Sequence, residues 1–207
     1  VRRHIPNILT LTRIALAVAF FAILTPWRYD ASPLSKGQSP DIWLLLATGL
    51  FILAALTDAL DGHLARKWNV VSVFGRIMDP FADKVLIIGA FIYFAGPGFS
   101  SGNRQVSGVE PWMAAVILAR ELLITSIRAA FESRGVSFAA TASGKWKMIL
   151  QSLCIPAVLL LLCFDPSRTL LDGRAIEILT WSTVLVTAWS AIPYIHRAVT
   201  ASRSTPL

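Results

Sequence analysis

Apolar residues along the chain gather in long runs separated by short polar stretches. Six such runs stand out: about Ile8 to Thr25, Ile42 to Leu60, Phe81 to Phe94, Trp112 to Phe131, Met148 to Phe164 and Ala175 to Ile195. Each is near the ~20 residues that a helix needs to span a bilayer, although the third is short and must borrow from its flanks. Lipid leaves no water for unpaired backbone groups, so spans of this kind must be helices. The pattern predicts an all-α integral membrane protein of six transmembrane helices, folded as one domain over residues 1–207.

The connections differ in character. Pro26 to Pro40 and Gly96 to Glu110 are rich in Gly, Ser and Pro and read as surface loops, while Asp165 to Arg174 reads as a short polar turn. The stretches from Arg66 to Arg76 and from Arg134 to Lys147 read as basic connections. Thr10, Thr12 and Arg13 interrupt the front of the first run, and no small-x-small site follows Leu24. The run is therefore expected to be a retained span rather than a cleaved signal. Six spans place both termini on one side. Fourteen of the 19 Lys and Arg residues fall on that side or at the helix ends facing it. The excess of positive charge in cytoplasmic loops then predicts that both termini and the basic connections face the cytoplasm.

Composition narrows the class further. Of 207 residues, 55% are apolar and 15% charged, against about 25% charged in an ordinary soluble domain. Disordered, fibrous and freely soluble classes are excluded, and few polar residues remain for a large extramembrane domain. The net charge of +7 follows from the topology, with no interleaved aromatic and basic platform, so nucleic acid is not an expected partner. Cys154 and Cys163 are nine residues apart in one apolar run. On a helix that is about 13 Å of rise, too far for a disulfide. They read as buried thiols.

The carboxylates carry the chemistry. Asp58, Asp61, Asp79 and Asp83 lie within 26 residues, at the mouth of two apolar runs. Asp58 and Asp61 are i, i+3 neighbours and Asp79 and Asp83 are i, i+4 neighbours, so each pair shares a helix face. A turn from Lys67 to Arg76 would bring the two pairs face to face. Four ionised carboxylates at a membrane boundary repel one another unless cations intervene. Hard divalent ions such as Mg²⁺ take such oxygen ligands, and paired metals are a recurrent device for displacement at phosphorus. Gly62 and Ala65 leave room for a phosphate or planar group, Arg66 and Arg76 could pair with phosphate oxygens, and Gly75 would allow a close turn. The alternative is that each aspartate is a helix cap or an ion-pair partner of Arg66, Lys67, Arg76 or Lys84. Asp79, before Pro80, fits a cap with proline at the first helical position. Four aspartates at this spacing favour the metal site.

Written out, the stretch is D-x2-D-G-x2-A-R-x8-G-x3-D-x3-D, and at all eight positions it resembles the signature of the CDP-alcohol phosphatidyltransferases. That family displaces CMP from a CDP-linked lipid or alcohol with an alcohol acceptor. The resemblance implies six spans with cytoplasmic termini, two divalent cations (Mg²⁺ or Mn²⁺) and a homodimer. It implies metal binding by Asp58, Asp61, Asp79 and Asp83, with Asp83 also the base for the acceptor hydroxyl. Asp61, Gly62, Ala65, Arg66 and Gly75 would surround the CDP group of CDP-diacylglycerol.

Two further stretches bear on the acceptor. His4 to Arg13, and Ala119 to Thr125 with Arg128, Gly144 to Lys147 and Gln151, resemble bacterial phosphatidylglycerophosphate synthases. This implies a multi-pass protein of the bacterial inner membrane with its site toward the cytoplasm. A phosphorylated acceptor such as glycerol 3-phosphate needs cations, and Arg120, Arg128, Lys145 and Lys147 are available for its phosphate. The bland alternative for them is topology anchoring, and Glu121 could simply pair with one. Inositol phosphate, serine or phosphatidylglycerol are the sister acceptors. A cation transporter is the competing class, but it would want carboxylates near the midplane rather than at one edge.

Overall fold

The computed structural model describes residues 5–36, 38, 40–68, 73–133, 142–164 and 174–204. Within these, the side chains of residues 5–9, 59–68, 73–77, 79–80 and 201–204 lie outside the description. Among the described residues there are seven α-helices: α1 (Ile5–Leu24), α2 (Ile42–Trp68), α3 (Val73–Phe94), α4 (Pro111–Glu132), α5 (Ala142–Phe164), α6 (Ala175–Trp189) and α7 (Ile192–Ser204). The all-α expectation holds, apart from one two-stranded hairpin.

Three boundaries differ from expectation. Helix α2 continues through Trp68 and α3 begins at Val73, so the expected basic connection from Arg66 to Arg76 is mostly helix. Gly75 is the third residue of α3, not a turn residue. Asp79 and Pro80 are its seventh and eighth residues, which removes the helix-cap reading of Asp79. Likewise Lys145 and Lys147 belong to the first turns of α5 rather than to a loop. Charged residues at the ends of apolar runs extend these helices instead of ending them, because nothing in that context breaks the backbone pattern.

The sixth run divides at Ser190 and Ala191. Pro193 has no N–H for the carbonyl of Trp189, and its ring crowds that carbonyl. The chain tightens there, with Ala191 N–H donating to the carbonyl of Ala188 (3.1 Å), before α7 restarts.

The connections 25–41 and 95–110 gather at one end, while the expected polar turn from Asp165 to Arg174 lies, but for its last residue, outside the described residues. Tyr29 N–H donates to the carbonyl of Gly98 (2.9 Å), and the Trp27 ring lies 4.6 Å from that of Phe99. Strands β1 (Ser100–Ser101) and β2 (Arg104–Gln105) pair antiparallel across Gly102, which takes φ +57°. Gly108 has φ +68° and sits so close to α6 that a Cβ would meet Ile176 Cγ2 at 3.0 Å. The Thr180 hydroxyl donates to the Gly108 carbonyl. These loops, expected at the surface, bury Trp27, Leu34, Phe99, Val106 and Val109. Their backbone groups find partners within the cap, as buried polar groups must.

Helix α1 packs on α2 and α3, α2 on α5, α5 on α6, and α4 on α3, α6 and α7. The apolar core runs from Ala17 and Phe20 through Phe51, Phe91 and Ile117 to Leu159. The exterior is also apolar: Leu53, Leu122, Leu153 and Leu185 are 50–60% exposed, while Arg13, Lys147 and Gln151 are buried. Apolar outside with charge inside suits lipid rather than water as the surrounding solvent. Two helical stretches, Ala142–Phe164 and Ala175–Thr200, are long and apolar enough to cross a membrane.

Candidate active site

The motif falls on two neighbouring helices. Positions 58, 61, 62 and 65 share one face of α2, and positions 75, 79 and 83 share one face of α3. The side chains of Asp61, Gly62, Ala65, Arg66, Gly75, Arg76 and Asp79 lie outside the described ones; those of Asp58 and Asp83 are described.

Asp58 Oδ1 pairs with Arg13 Nη1 at 2.7 Å. Arg13 comes from α1 and is only 1% exposed, whereas the Asp58 side chain is 48% exposed. A guanidinium in an apolar bundle is retained only where it meets a carboxylate, and here that carboxylate belongs to the motif. Asp83 is half-buried on α3, in the field of Asp58, Arg13, Lys147 and Glu121. Among the described residues its carboxylate has no hydrogen bond or ion pair. A half-buried carboxylate without a partner is the kind of group that binds a cation or takes up a proton.

Beside it lies a second charged group. Glu121 Oε1 accepts from Arg120 Nη1 (2.8 Å) on its own helix and from Lys147 Nζ on α5. Arg120 and Lys147 are buried, and the Glu121 side chain is 11% exposed. Arg120 Nε also donates to Ser190 Oγ (3.0 Å), and its guanidinium stands 5.8 Å from the centre of the Tyr194 ring. The break between α6 and α7 delivers both partners. One turn deeper, Gln151 Nε2 donates to Thr187 Oγ1 (3.0 Å).

Of the four cations expected at the acceptor site, the structure joins Arg120 and Lys147 through Glu121. Lys145 is exposed on the first turn of α5. Arg128 is half-buried and faces Glu132 at 4.0 Å. Helix α5 turns position 147 inward and leaves position 145 outside. In the sequence Arg13 stands only as an interruption of the first run and the end of a resembling stretch. A lone arginine inside an apolar run was its signal. The hydroxyl stripe of Thr180, Thr183, Thr187 and Ser190, all fully buried, was missed. Its spacing of three, four and three residues would have revealed it.

Carboxylate oxygens are hard donors and suit Mg²⁺ or Mn²⁺, so the chemistry of Asp58 and Asp83 fits such a group. Among the described residues no three Asp, Glu, His or Cys side chains converge on one point; Asp61 and Asp79 lie outside that set.

Comparison with known proteins bears directly on this arrangement. A protein from Bacillus subtilis (strain 168) named CDP-diacylglycerol–glycerol-3-phosphate 3-phosphatidyltransferase is 36% identical over 158 residues, covering 76% of this chain and 77% of that protein. Proteins of the same name from Pectobacterium atrosepticum and Cereibacter sphaeroides are 32% and 33% identical. The first match covers 94% of each chain; the second covers 86% of this chain and 71% of the relative. The family model for CDP-alcohol phosphatidyltransferase matches residues 3–189, a span that holds Arg13, the whole aspartate motif and the Glu121 cluster. The chain belongs to the CDP-alcohol phosphatidyltransferase family.

Proposed function

We infer that this protein transfers the phosphatidyl group of CDP-diacylglycerol to glycerol 3-phosphate, giving phosphatidylglycerophosphate and CMP. The observation that carries this reading is that Lys147 and Glu121 lie within the electrostatic field of Asp83, with Arg120 joined to them through Glu121. A base for an acceptor hydroxyl and cations for an acceptor phosphate then lie together. The names of the relatives support the same reaction.

In this reading the chain crosses the bacterial inner membrane six times, with α6 and α7 forming one bent final element. Both termini and the aspartate end face the cytoplasm, where charged acceptors are found. The loop end with Trp27 and the hairpin faces outward. Two divalent cations would be held by Asp58, Asp61, Asp79 and Asp83. When bound, they would neutralise the diphosphate and the departing CMP.

The chain's own residues do the rest. Arg13 holds one oxygen of Asp58. Asp61, Gly62, Ala65, Arg66 and Gly75 surround the CDP group. Arg120 and Lys147, with Arg128 and Lys145 at the rim, receive the acceptor phosphate. Asp83 takes the proton of the acceptor hydroxyl as its oxygen bonds to the phosphatidyl phosphorus and the bond to CMP breaks. The diacyl chains stay in lipid throughout. A homodimer, as the family resemblance implies, is part of the reading.

The test is CMP release by the purified protein from CDP-diacylglycerol with Mg²⁺. Glycerol 3-phosphate, inositol phosphate, serine and phosphatidylglycerol are offered in parallel, with Asp79→Ala as control. Release with glycerol 3-phosphate alone, absent from the control, is the expected result. Release with another acceptor moves the protein to a sister reaction. No release with any acceptor, together with cation flux into vesicles, would replace the enzyme by a transporter.

A further inference from the structure

At the loop end, opposite the aspartates, the last turn of α1 separates two cavities. One, of about 520 Å³, is lined by Ala22, Ile23, Pro26, Trp27 and Trp43. The other, of about 230 Å³, is lined by Leu24, Thr25, Ile92, Tyr93 and Phe99. Their outer walls are apolar and open: Trp43 is 56% and Ile92 50% exposed. Arg28 lines both cavities and lies on the ridge between them.

The charge at this ridge has one sign. Arg28 Nη1 donates to the carbonyls of Thr25 and Trp27, which closes the end of α1. The side chain remains exposed, and those two bonds use only one of its nitrogens. Asp41 lines the larger cavity, but its carboxylate is taken up by Trp27 Nε1 and the backbone N–H groups of Trp43 and Leu44. Asp30 lines neither cavity. Among the described residues the two cavities therefore share one cation and hold no uncommitted carboxylate.

We propose that this end binds one anionic diacyl phospholipid astride α1, its phosphate on Arg28 and one acyl chain in each cavity. Two apolar slots flanking one cation match two chains flanking one phosphate. With no uncommitted carboxylate among the described lining residues to receive an ammonium group, an anionic headgroup is favoured over a zwitterionic one. Tryptophans beside the slots suit the level of the membrane interface. The proposal rests on the bilayer reading above and is independent of the acceptor.

The experiment is native mass spectrometry of the delipidated full chain in detergent, titrated with dioleoyl phosphatidylglycerol or dioleoyl phosphatidylcholine. Wild type should retain the first about five- to tenfold more tightly, the scale of one cation meeting one anionic headgroup. Arg28→Gln should abolish that preference, and Ala22→Trp, which fills the larger slot, should lower retention of both lipids. CMP release should be unchanged in both variants, which shows that they are folded. Equal retention of the two lipids by wild type, or an undiminished preference in Arg28→Gln, overturns the proposal. A chain that stays monodisperse without detergent and retains neither lipid would overturn the bilayer reading itself.

Discussion

Asp41 and Asp58 stand on the same helix, one just before its first residue and one ten residues before its last. Asp41 is buried and saturated: it caps α2 through Trp43 and Leu44 N–H, and it receives Trp27 Nε1 at 3.0 Å. Asp58 is half exposed and meets one guanidinium on one oxygen. The same contrast holds for the two ends of the bundle. At the loop end, the buried polar side chains Asp41 and Ser107 are tied to backbone N–H groups, a carbonyl or the Trp27 indole, and aromatic rings fill the space between them. At the other end, among the described residues, Asp58 meets a guanidinium through one oxygen and the Asp83 carboxylate has no hydrogen bond or ion pair, while Arg120, Glu121 and Lys147 are tied to one another. Saturated polar groups hold a fold together, and unsaturated ones are left to act on something that arrives.

The largest effect expected from breaking this contrast is on Asp83. Asp83→Asn should lower the rate of CMP release by about 10²- to 10⁴-fold, the usual range for loss of a general base. Affinity for CDP-diacylglycerol should change little. Turnover near wild type would remove Asp83 from the chemistry. Chelation should act on the same end: excess EDTA should abolish CMP release, and added Mg²⁺ or Mn²⁺ should restore it. Activity that survives exhaustive chelation would argue against carboxylates serving a metal.

Next in size is Glu121→Gln, which leaves Arg120 and Lys147 buried beside each other without their shared carboxylate. Removing one member of a buried charged group costs about 3–5 kcal/mol. A thermal melt in detergent should fall by many degrees, and an unchanged melt would show that the cluster is hydrated. Asp41→Ala tests the saturated end. Loss of a helix cap costs about 1 kcal/mol, so the melt should drop modestly while CMP release by the folded fraction stays the same. A selective loss of turnover in that variant would couple the two ends.

Arg104→Ala should do least. Arg104 and Glu177 pair at 2.6 Å on the exposed face of the loop end, where such pairs contribute about 0–1 kcal/mol. A shift larger than that of Asp41→Ala would mean that the pair is shielded from solvent.

The helices and the carboxylate motif were legible in the sequence because each depends on local order. A run of Leu, Ala, Ile and Phe marks a helix wherever it is placed, and spacings of three and four put residues on one face. Legibility failed at boundaries. The connection from Arg66 to Arg76 looked like a loop because charge was taken as a sign of an ending. Backbone hydrogen bonding is indifferent to side-chain charge, and the helices continue. The loops at the other end looked superficial because Gly, Ser and Pro dominate them. Their few aromatics decide the packing, as Trp27 against Phe99 shows.

Sequence by itself determined the all-α class, the apolar exterior, the placement of the aspartates on two consecutive helices and the family to which the chain belongs. Each of these depends on periods of a few residues or on fixed spacing. Tertiary structure decided which charges meet. Arg13 finds Asp58 45 positions away, Glu121 finds Lys147 across a helix pair, and Ser190 reaches Arg120 only because Pro193 breaks the last span. In a medium where an unpaired charge is costly, the packing of helices that are distant in sequence sets those pairings, and no local pattern encodes them.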